Sequence, residues 1–219
     1  MIEEILPSFV AVGEAFADPP DIELLGPERA AVGTAVPKRQ REFATGRACA
    51  RQALAQLGLP PAPLERGPRG EPQWPAGVVG SITHCAGYRA AAVAHAAQAA
   101  AMGIDAEPNE PLPEGVLEVI TVAAERPELA ALSLVRPDVS WGRLLFSAKE
   151  SVYKAWYPLA QRWLDFAEAE VGIDPDGGTF HARLLVPGPE RDGQPLTGFD
   201  GRWLVRDGFL LTAIVVATA

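Results

Sequence analysis

The segment Phe146-Ser-Ala-Lys-Glu-Ser-Val-Tyr-Lys154, read together with Gly103-Ile-Asp-Ala-Glu107, decides how this chain is organised. The second segment carries two acids at alternate positions, which point from one face of a β-strand. The first carries an acid four residues before a lysine, and this spacing places both side chains on one face of a helix. Carboxylates that converge with an ammonium group can hold a hard cation such as Mg2+ against phosphate oxygens. The groups that would meet are those of Asp105, Glu107, Glu150 and Lys154.

Each part of this pattern also has an ordinary structural explanation. An Asp-x-Glu pair before proline is common at strand ends, where the acids face water or cap a helix. Lys-Glu-x-x-x-Lys on a helix is usually a solvent-exposed face whose surface ion pair is worth about 0.5 kcal/mol. Both segments occur here together with Ser-x-Thr-His at residues 81–84 and a basic helix around Arg47. This combination favours a functional site over two unrelated surface features.

The composition is typical of a globular protein. The chain has 219 residues, of which 48% are hydrophobic and 21% charged, enough for one large domain or two small ones. It has no uninterrupted apolar run of the roughly 18 residues that a membrane-spanning helix needs, and its first residues, Met1-Ile-Glu-Glu, are acidic where a secretory signal would be basic. Cys49 and Cys85 lack the spacing of a metal site. We therefore expect a cytoplasmic protein with no membrane partner.

Charge is unevenly distributed along the chain. A net charge of −9 argues against nucleic acid as a partner, because nucleic-acid binding needs a basic surface that displaces phosphate counterions. Basic residues nevertheless cluster between positions 37 and 51, with Glu42 as the only acid among them. A small polyanion suits such a patch better than a duplex does. The cluster consists of Lys38, Arg39, Arg41, Arg47 and Arg51.

Helical and strand patterns follow each other twice. Proline in the first turn and apolar residues at helical spacing predict a helix over residues 37–57. A helical pattern over 114–134 is interrupted at Pro127, and another long helix lies within 141–166, where Pro158 marks a kink or an end. Alternating or continuous apolar runs predict the strands. These strands cover residues 77–82, 88–97, 101–107, 180–186, 202–205 and 209–218.

Turn signals separate these elements. Proline and glycine make residues 60–75 a loop, residues 83–87 form a turn, and Asp207-Gly208 is a strong hairpin signal. The order predicts an α+β fold of two similar halves, a pseudo-duplicated architecture in which each half is a helix packed on a small, mostly antiparallel sheet. We place the halves at residues 1–104 and 105–219.

Four segments together resemble one enzyme family. They are Arg69-Gly-Glu-Pro-Gln-Trp-Pro75, Gly80-Ser-Ile-Thr-His-Cys-Ala-Gly-Tyr88, Met102-Gly-Ile-Asp-Ala-Glu-Pro108 and Phe146-Ser-Ala-Lys-Glu-Ser-Val-Tyr-Lys-Ala-Trp-Tyr-Pro158. In combination they resemble the larger, monomeric class of 4′-phosphopantetheinyl transferases, which activate acyl, aryl and peptidyl carrier proteins. The resemblance implies a monomer with coenzyme A and magnesium in the cleft between its halves. It also implies transfer of phosphopantetheine from coenzyme A to a serine of an apo carrier protein, with release of 3′,5′-adenosine bisphosphate.

The resemblance assigns the acids to a metal ion. Asp105, Glu107 and Glu150 match the family's Mg2+ ligands, and Mn2+ is an expected substitute. Glu150 also matches the residue usually proposed as general base, acting directly or through a water molecule. Lys154 would stabilise charge on the pyrophosphate. Position 106 is Ala, so this strand supplies no further acid.

A second group of residues is assigned by the resemblance to coenzyme A. Thr83, His84 and Arg47 match residues that bind the 3′-phosphate, which Arg47 and an imidazolium would hold in a charge-assisted way. Arg39 or Arg41 would extend this patch, depending on the helix register. The other expected contacts with the coenzyme are Arg69, Lys149 and Lys154.

Two departures from the family pattern qualify these assignments. Glu71 stands where many relatives carry a lysine, so Arg69, on the other side of Gly70, is expected to supply the cation. Phe146 replaces a common tryptophan, which changes packing only. The remaining histidines, His95 and His181, lie outside every motif and are expected to be structural.

The surface that binds the carrier is not defined by any motif. The candidate surface is residues 121–139 together with the helix after Lys154. It contains an apolar strip that is either exposed for the carrier or part of the core: Val122, Leu129, Leu132, Leu134 and Val135. Two other functions remain open beside the transferase: a magnesium-dependent phosphohydrolase and a noncatalytic coenzyme A-binding protein. The intact acids and the intact Lys149-Glu150 pair argue against the noncatalytic alternative.

Overall fold

The computed structural model describes residues 1–191 and 193–218. The chain begins with a 3-10 helix, Ile2–Ile5, and a second one, Phe166–Glu168, precedes the last strands. The helices are α1 (Pro27–Val32), α2 (Pro37–Gln56), α3 (Val116–Ile120), α4 (Glu125–Val135) and α5 (Trp141–Ala160). The strands are β1 (Ala11–Ala15), β2 (Val78–Cys85), β3 (Tyr88–His95), β4 (Ala99–Pro108), β5 (Ala169–Asp174), β6 (Thr179–Leu184), β7 (Glu190–Arg191), β8 (Gln194–Pro195), β9 (Gly198–Arg206) and β10 (Phe209–Ala217).

Two antiparallel sheets, each covered by one long helix, form the body of the protein. The N-terminal sheet has the strand order β1-β3-β2, and α2 packs on β1 and β3. The C-terminal sheet has the order β4-β10-β9-β6-β5, and α5 packs on β4 and β10. The predicted α+β fold of two helix-on-sheet halves is therefore confirmed.

The change from one half to the other lies earlier than the sequence suggested. The predicted boundary, between residues 104 and 105, falls inside β4. This strand pairs with β10 over its whole length, from Ala99 opposite Ala217 to Pro108 opposite Phe209. β4 therefore belongs to the C-terminal sheet, and the change of sheet occurs between β3 and β4.

Two glycines let the long helices approach their sheets closely. A Cβ atom on Gly103 would lie 2.0 Å from the backbone oxygen of Ser151, so α5 lies directly on β4. A Cβ atom on Gly13 would lie 2.2 Å from the backbone oxygen of Cys49, so α2 lies equally close to β1. The contact at Gly103 brings the middle of α5 next to Asp105.

The buried face of α5 sets which of its residues are left for the cleft. Its core side chains recur at helical spacing, and each large one contributes roughly 1.5–3 kcal/mol when buried. They are Trp141, Leu144, Leu145, Ala148, Val152, Ala155 and Trp156. Glu150 and Lys154 lie on the flank of this face and are only partly buried.

The helices over residues 114–160 differ in their limits from the prediction. The predicted helix over 114–134 is divided into α3 and α4 by residues 121–124, not at Pro127. Pro127 lies in the first turn of α4, where the missing N–H has no partner to lose. The predicted helix within 141–166 ends at Ala160, because Gln161 adopts a left-handed conformation with φ 50°. Pro158 lies inside its last turn.

The strand predictions are confirmed in the centre of each sheet and incomplete at the edges. Asp207 and Gly208, with φ of 51° and 81°, form the predicted hairpin turn between β9 and β10. The predicted turn over residues 83–87 is shorter, since β2 continues through Thr83 to Cys85. The edge strands β1 and β5 were not predicted. No helix among the described residues is both long and apolar enough to cross a membrane.

Candidate active site

A cleft of about 550 Å3 opens between α5, β2 and the loop over residues 68–74. Glu150, Lys154 and Arg69, three of the expected site residues, line it together. Aromatic side chains lie beside these charged groups: Trp74, Tyr153 and Tyr157. With Glu71 also in its lining, the cleft combines two acids, two cations and apolar surface, which suits a ligand with both an anionic and an apolar part.

Asp105 lies at the point where β2, β4 and α5 meet, and it is buried. Its Oδ1 atom accepts hydrogen bonds from Lys154 Nζ at 2.7 Å and from Thr83 Oγ1 at 3.1 Å. Its Oδ2 atom is buried and has no hydrogen-bond partner among the described residues. A buried carboxylate oxygen without a partner is costly, and it is the kind of atom that coordinates a cation.

Glu150 presents a carboxyl group to the same cleft. Burial raises the pKa of Glu150 above 4.5, the charge of Asp105 raises it further, and Lys154 opposes the shift. The carboxyl makes no hydrogen bond or ion pair with any residue that the structure describes. An acid with a raised pKa and free oxygens is suited to take up a proton.

Glu107 is held by a residue that sequence reasoning missed. Arg143 Nη1 donates to Glu107 Oε2 at 3.0 Å, and the same guanidinium donates to the backbone oxygens of Glu110 and Pro111. Burial and the neighbouring Asp105 raise the pKa of Glu107, against the effect of Arg143. A signal was present, because Arg143 precedes Glu150 by seven residues and so shares its face of α5.

The three acids do not form a preassembled metal cluster. Across residues 1–191 and 193–218, no three His, Cys, Asp or Glu side chains are gathered as metal ligands. Two of the acids are instead paired, Asp105 with Lys154 and Glu107 with Arg143. The donor set still fits Mg2+, since it consists of carboxylate oxygens and includes the partnerless Oδ2 of Asp105. A divalent cation would compete with the two side-chain cations for these oxygens.

Arg39, in α2, and His84, near the end of β2, are in contact. Arg39 Nη1 lies 2.6 Å from His84 Nε2, and since a guanidinium can only donate, the ring nitrogen must accept. Partial desolvation lowers the pKa of His84, and the charges of Arg39 and Lys154 lower it further. Accepting the bond from Arg39 requires a ring whose Nε2 carries no hydrogen. Of the two arginines left open by the sequence, Arg39 is the one that contacts His84.

Arg47 is more deeply placed than the resemblance implied. Its guanidinium carbon lies 4.4 Å from the centre of the Phe43 ring, and its Nε donates to the backbone oxygen of Leu64 at 3.0 Å. Burial lowers the pKa of Arg47 to about 10. Only 4% of the residue is exposed. Arg47 therefore braces the helix against the loop that follows it, and Arg39 is the more accessible cation of this patch.

Thr83 and Lys149 do not offer free polar groups to a coenzyme. Thr83 is buried, donates to Asp105 and accepts from the backbone N–H of Ala106 at 3.0 Å. Lys149 Nζ is buried and donates to the Glu125 carboxylate at 2.9 Å and to the backbone oxygens of Ile120 and Phe166. Lys149 was expected to contact the coenzyme, but its ammonium group lies inside the C-terminal half, and all three of its hydrogens are used there.

Comparison with known proteins identifies relatives over nearly the whole chain. Residues 27–94 match the family model described as 4′-phosphopantetheinyl transferase N-terminal domain, and residues 101–193 match the model of the 4′-phosphopantetheinyl transferase superfamily. The chain is 61% identical over 220 residues to 4′-phosphopantetheinyl transferase Svp of Streptomyces mobaraensis, covering 99% of this chain and 89% of that protein. It is 50% identical to Npt of Nocardia iowensis, over 99% of this chain and 100% of the relative. It is 45% identical to PptT of Mycobacterium tuberculosis, over 99% and 98%. Both relatives are also named 4′-phosphopantetheinyl transferases.

Proposed function

This chain belongs to the 4′-phosphopantetheinyl transferase family, and we propose that it transfers phosphopantetheine from coenzyme A to a serine of an acyl or peptidyl carrier protein in a Mg2+-dependent reaction. The observation that carries the mechanism is the presence of Glu150 and Lys154 in one cleft, with the buried Asp105 bound to Lys154 Nζ. Coenzyme A is the donor substrate that the family name implies. One chain supplies both walls of the cleft, so the proposed enzyme acts as a monomer. We propose that the reaction takes place in the cytoplasm.

The reaction exchanges one phosphate ester for another. The carrier serine hydroxyl attacks the phosphorus on the pantetheine side of the pyrophosphate, and a new P–O bond forms. The bond from that phosphorus to the bridging oxygen breaks, and 3′,5′-adenosine bisphosphate leaves with the electron pair. The serine proton must go to a base. Positioning and neutralisation of phosphate charge therefore account for most of the catalysis.

Each residue of the cleft has a place in this exchange. Glu150 takes the serine proton, directly or through a water, and its raised pKa favours that uptake. Lys154, which also lines the cleft, donates to the anionic pyrophosphate. Asp105, Glu107 and Glu150 would hold Mg2+, with Mn2+ as a substitute. When bound, such an ion neutralises charge on the transferred phosphoryl group.

The 3′-phosphate of coenzyme A has a site at the Arg39 and His84 pair. Arg39 is 42% exposed at its side chain and donates to His84, so its guanidinium can reach an external anion. Glu42, which also contacts Arg39 at 3.4 Å, holds it in place until the coenzyme binds. Arg69, which lines the cleft, is available for the pyrophosphate or for the adenosine part of the coenzyme.

Removal of the Arg39 charge is expected to weaken the binding of coenzyme A but not that of 3′-dephospho-coenzyme A. Arg39→Gln should raise KM for coenzyme A about 10-fold, because a charge-assisted bond to phosphate contributes more than a neutral one. KM for 3′-dephospho-coenzyme A should stay within about twofold. Lys38→Gln is the matched control, since it removes an exposed charge one residue away. An equal rise in KM for both coenzymes would contradict this assignment.

The apolar strip proposed for carrier binding is divided in the structure. Leu129 is buried and Leu132 packs against the core, whereas Leu134 and Val135 are 87% and 76% exposed. Val119, on the preceding helix, is 71% exposed. We infer that the exposed members of this region, and not the strip as a whole, contribute to carrier binding.

Mass spectrometry of purified apo carrier proteins tests the proposed function. Incubation with this protein, coenzyme A and Mg2+ is expected to add about 340 Da to at least one carrier, the size of a transferred phosphopantetheine group. Chelation of the metal should prevent the gain. Release of a phosphate product without any carrier would instead support a hydrolase. Binding of coenzyme A without any product would support the noncatalytic alternative.

A further inference from the structure

The two halves of the protein meet along β2 and β4, and two side-chain hydroxyls join these strands. In the described part of the chain β2 and β4 form no backbone ladder with each other. Ser81 Oγ instead accepts the N–H of Ile104 at 3.1 Å, and Thr83 Oγ1 accepts the N–H of Ala106 at 3.0 Å. Alternate residues of one strand therefore satisfy alternate N–H groups on the free edge of the other.

The two hydroxyls differ in what they do with their own hydrogen. Thr83 donates to Oδ1 of Asp105 at 3.1 Å, whereas Ser81 has no carboxylate partner among the described residues. A threonine hydroxyl has a single hydrogen, and its rotamer is restricted by branching at Cβ. With 2% exposure and its one hydrogen committed, Thr83 has no donor left for a phosphate.

The hydrogen bond from Thr83 also determines which oxygen of Asp105 is left for a cation. Lys154 Nζ and Thr83 Oγ1 both bind Oδ1, at 2.7 and 3.1 Å. The other oxygen, Oδ2, is the buried one without a partner in the described structure. Two donors on one oxygen fix the plane of the carboxylate, and the free oxygen keeps its full capacity for a cation.

We propose that Thr83 is a positioning residue that orients the Asp105 carboxylate for a divalent cation, and not a ligand of the coenzyme 3′-phosphate. The inference rests on the proposed function, since it takes Asp105 as a metal ligand. It gives the Ser-x-Thr-His segment two tasks. Ser81 and Thr83 both join the halves, and Thr83 alone also orients Asp105. His84, which is next in the strand and contacts Arg39, faces the coenzyme.

Binding of Mn2+ measured by electron paramagnetic resonance of the free ion tests this inference without turnover. The protein is titrated with coenzyme A present and carrier absent. Thr83→Val, which keeps the shape and loses the hydroxyl, is expected to weaken Mn2+ binding about 10-fold. Thr83→Ser, which keeps the hydroxyl, should bind within about threefold of the parent. Ser81→Ala is the matched control, because it removes the other bond between β2 and β4 and should leave Mn2+ affinity unchanged.

A second readout separates this role from phosphate binding. Thr83→Val should keep the parent's preference for coenzyme A over 3′-dephospho-coenzyme A. Unchanged Mn2+ affinity together with a lost preference would overturn the proposal. If the valine variant does not fold, Thr83→Ala is compared with Thr83→Ser by the same two measurements. Failure of the parent protein to bind Mn2+, or binding unaffected by Asp105→Asn, would reject the proposed metal site itself.

Discussion

Glu150→Gln is expected to lower the rate of phosphopantetheine transfer about 10³-fold while coenzyme A still binds. The substitution keeps the size of the side chain and removes both its negative charge and its capacity to take a proton. Glu150 has no bond to any described residue that the glutamine would break, so the loss falls on the reaction. Mass spectrometry of carrier samples quenched at set times gives the rate, and calorimetric titration gives the affinity for coenzyme A. Glu118→Gln, at an exposed position on α3, is the control for loss of a carboxylate elsewhere.

Thermal stability provides a second test of the same variant. Burial raises the folded-state pKa of Glu150 above 4.5, so its ionised form destabilises the folded protein at neutral pH. Glu150→Gln should therefore melt at an equal or higher temperature than the parent at neutral pH. As pH falls through the raised pKa, the parent takes up its proton in the folded state and this difference should disappear. A variant that melts clearly lower at neutral pH would show that Glu150 has a structural role.

Local patterns in the sequence were sufficient to predict the elements that carry the site. The positions of the β4 and α5 residues that line the cleft could be predicted from the two-residue period of a strand and the 3.6-residue period of a helix. Both patterns extend over only a few residues. The hairpin at Asp207-Gly208 follows from the same kind of local rule. The edge strand β1 could not be predicted from such a rule, because Ala11–Ala15 is short and contains a glycine. Gly13 is needed there because the backbone of Cys49 in α2 approaches it closely. Contacts between distant segments decide such elements.

Side-chain partners were the part of the site that local patterns could not supply. Arg143 contacts Glu107 only because α5 crosses the end of β4. The Thr83 hydroxyl finds Asp105 only because β2 lies beside β4. For Lys149, however, helix geometry alone predicts a different orientation from that of Glu150. Neighbouring residues are about 100° apart around a helix axis, so Lys149 points to the buried Glu125 carboxylate while Glu150 lines the cleft of about 550 Å3.

The position of Lys149 makes it a structural residue of the C-terminal half. Its ammonium joins the Glu125 carboxylate of α4 to α5, at 2.9 Å, with both groups nearly inaccessible to water. The same carboxylate accepts the backbone N–H groups of Val122 and Val171 at 2.8 Å each. Burial lowers the pKa of Lys149, and the hydrogen bond and charge of Glu125 oppose that shift. The pair therefore depends on both members being present.

Lys149→Met is expected to destabilise the protein by about 3–5 kcal/mol, because it leaves the Glu125 carboxylate buried without its counter-charge. Its melting temperature should fall by about 10 °C for a chain of this size. Glu125→Gln added to Lys149→Met removes the uncompensated charge and should recover part of this loss. Below the melting temperature, KM for coenzyme A should be unchanged in Lys149→Met, since the ammonium does not reach the cleft. Unchanged stability with a raised KM would instead restore Lys149 as a coenzyme contact.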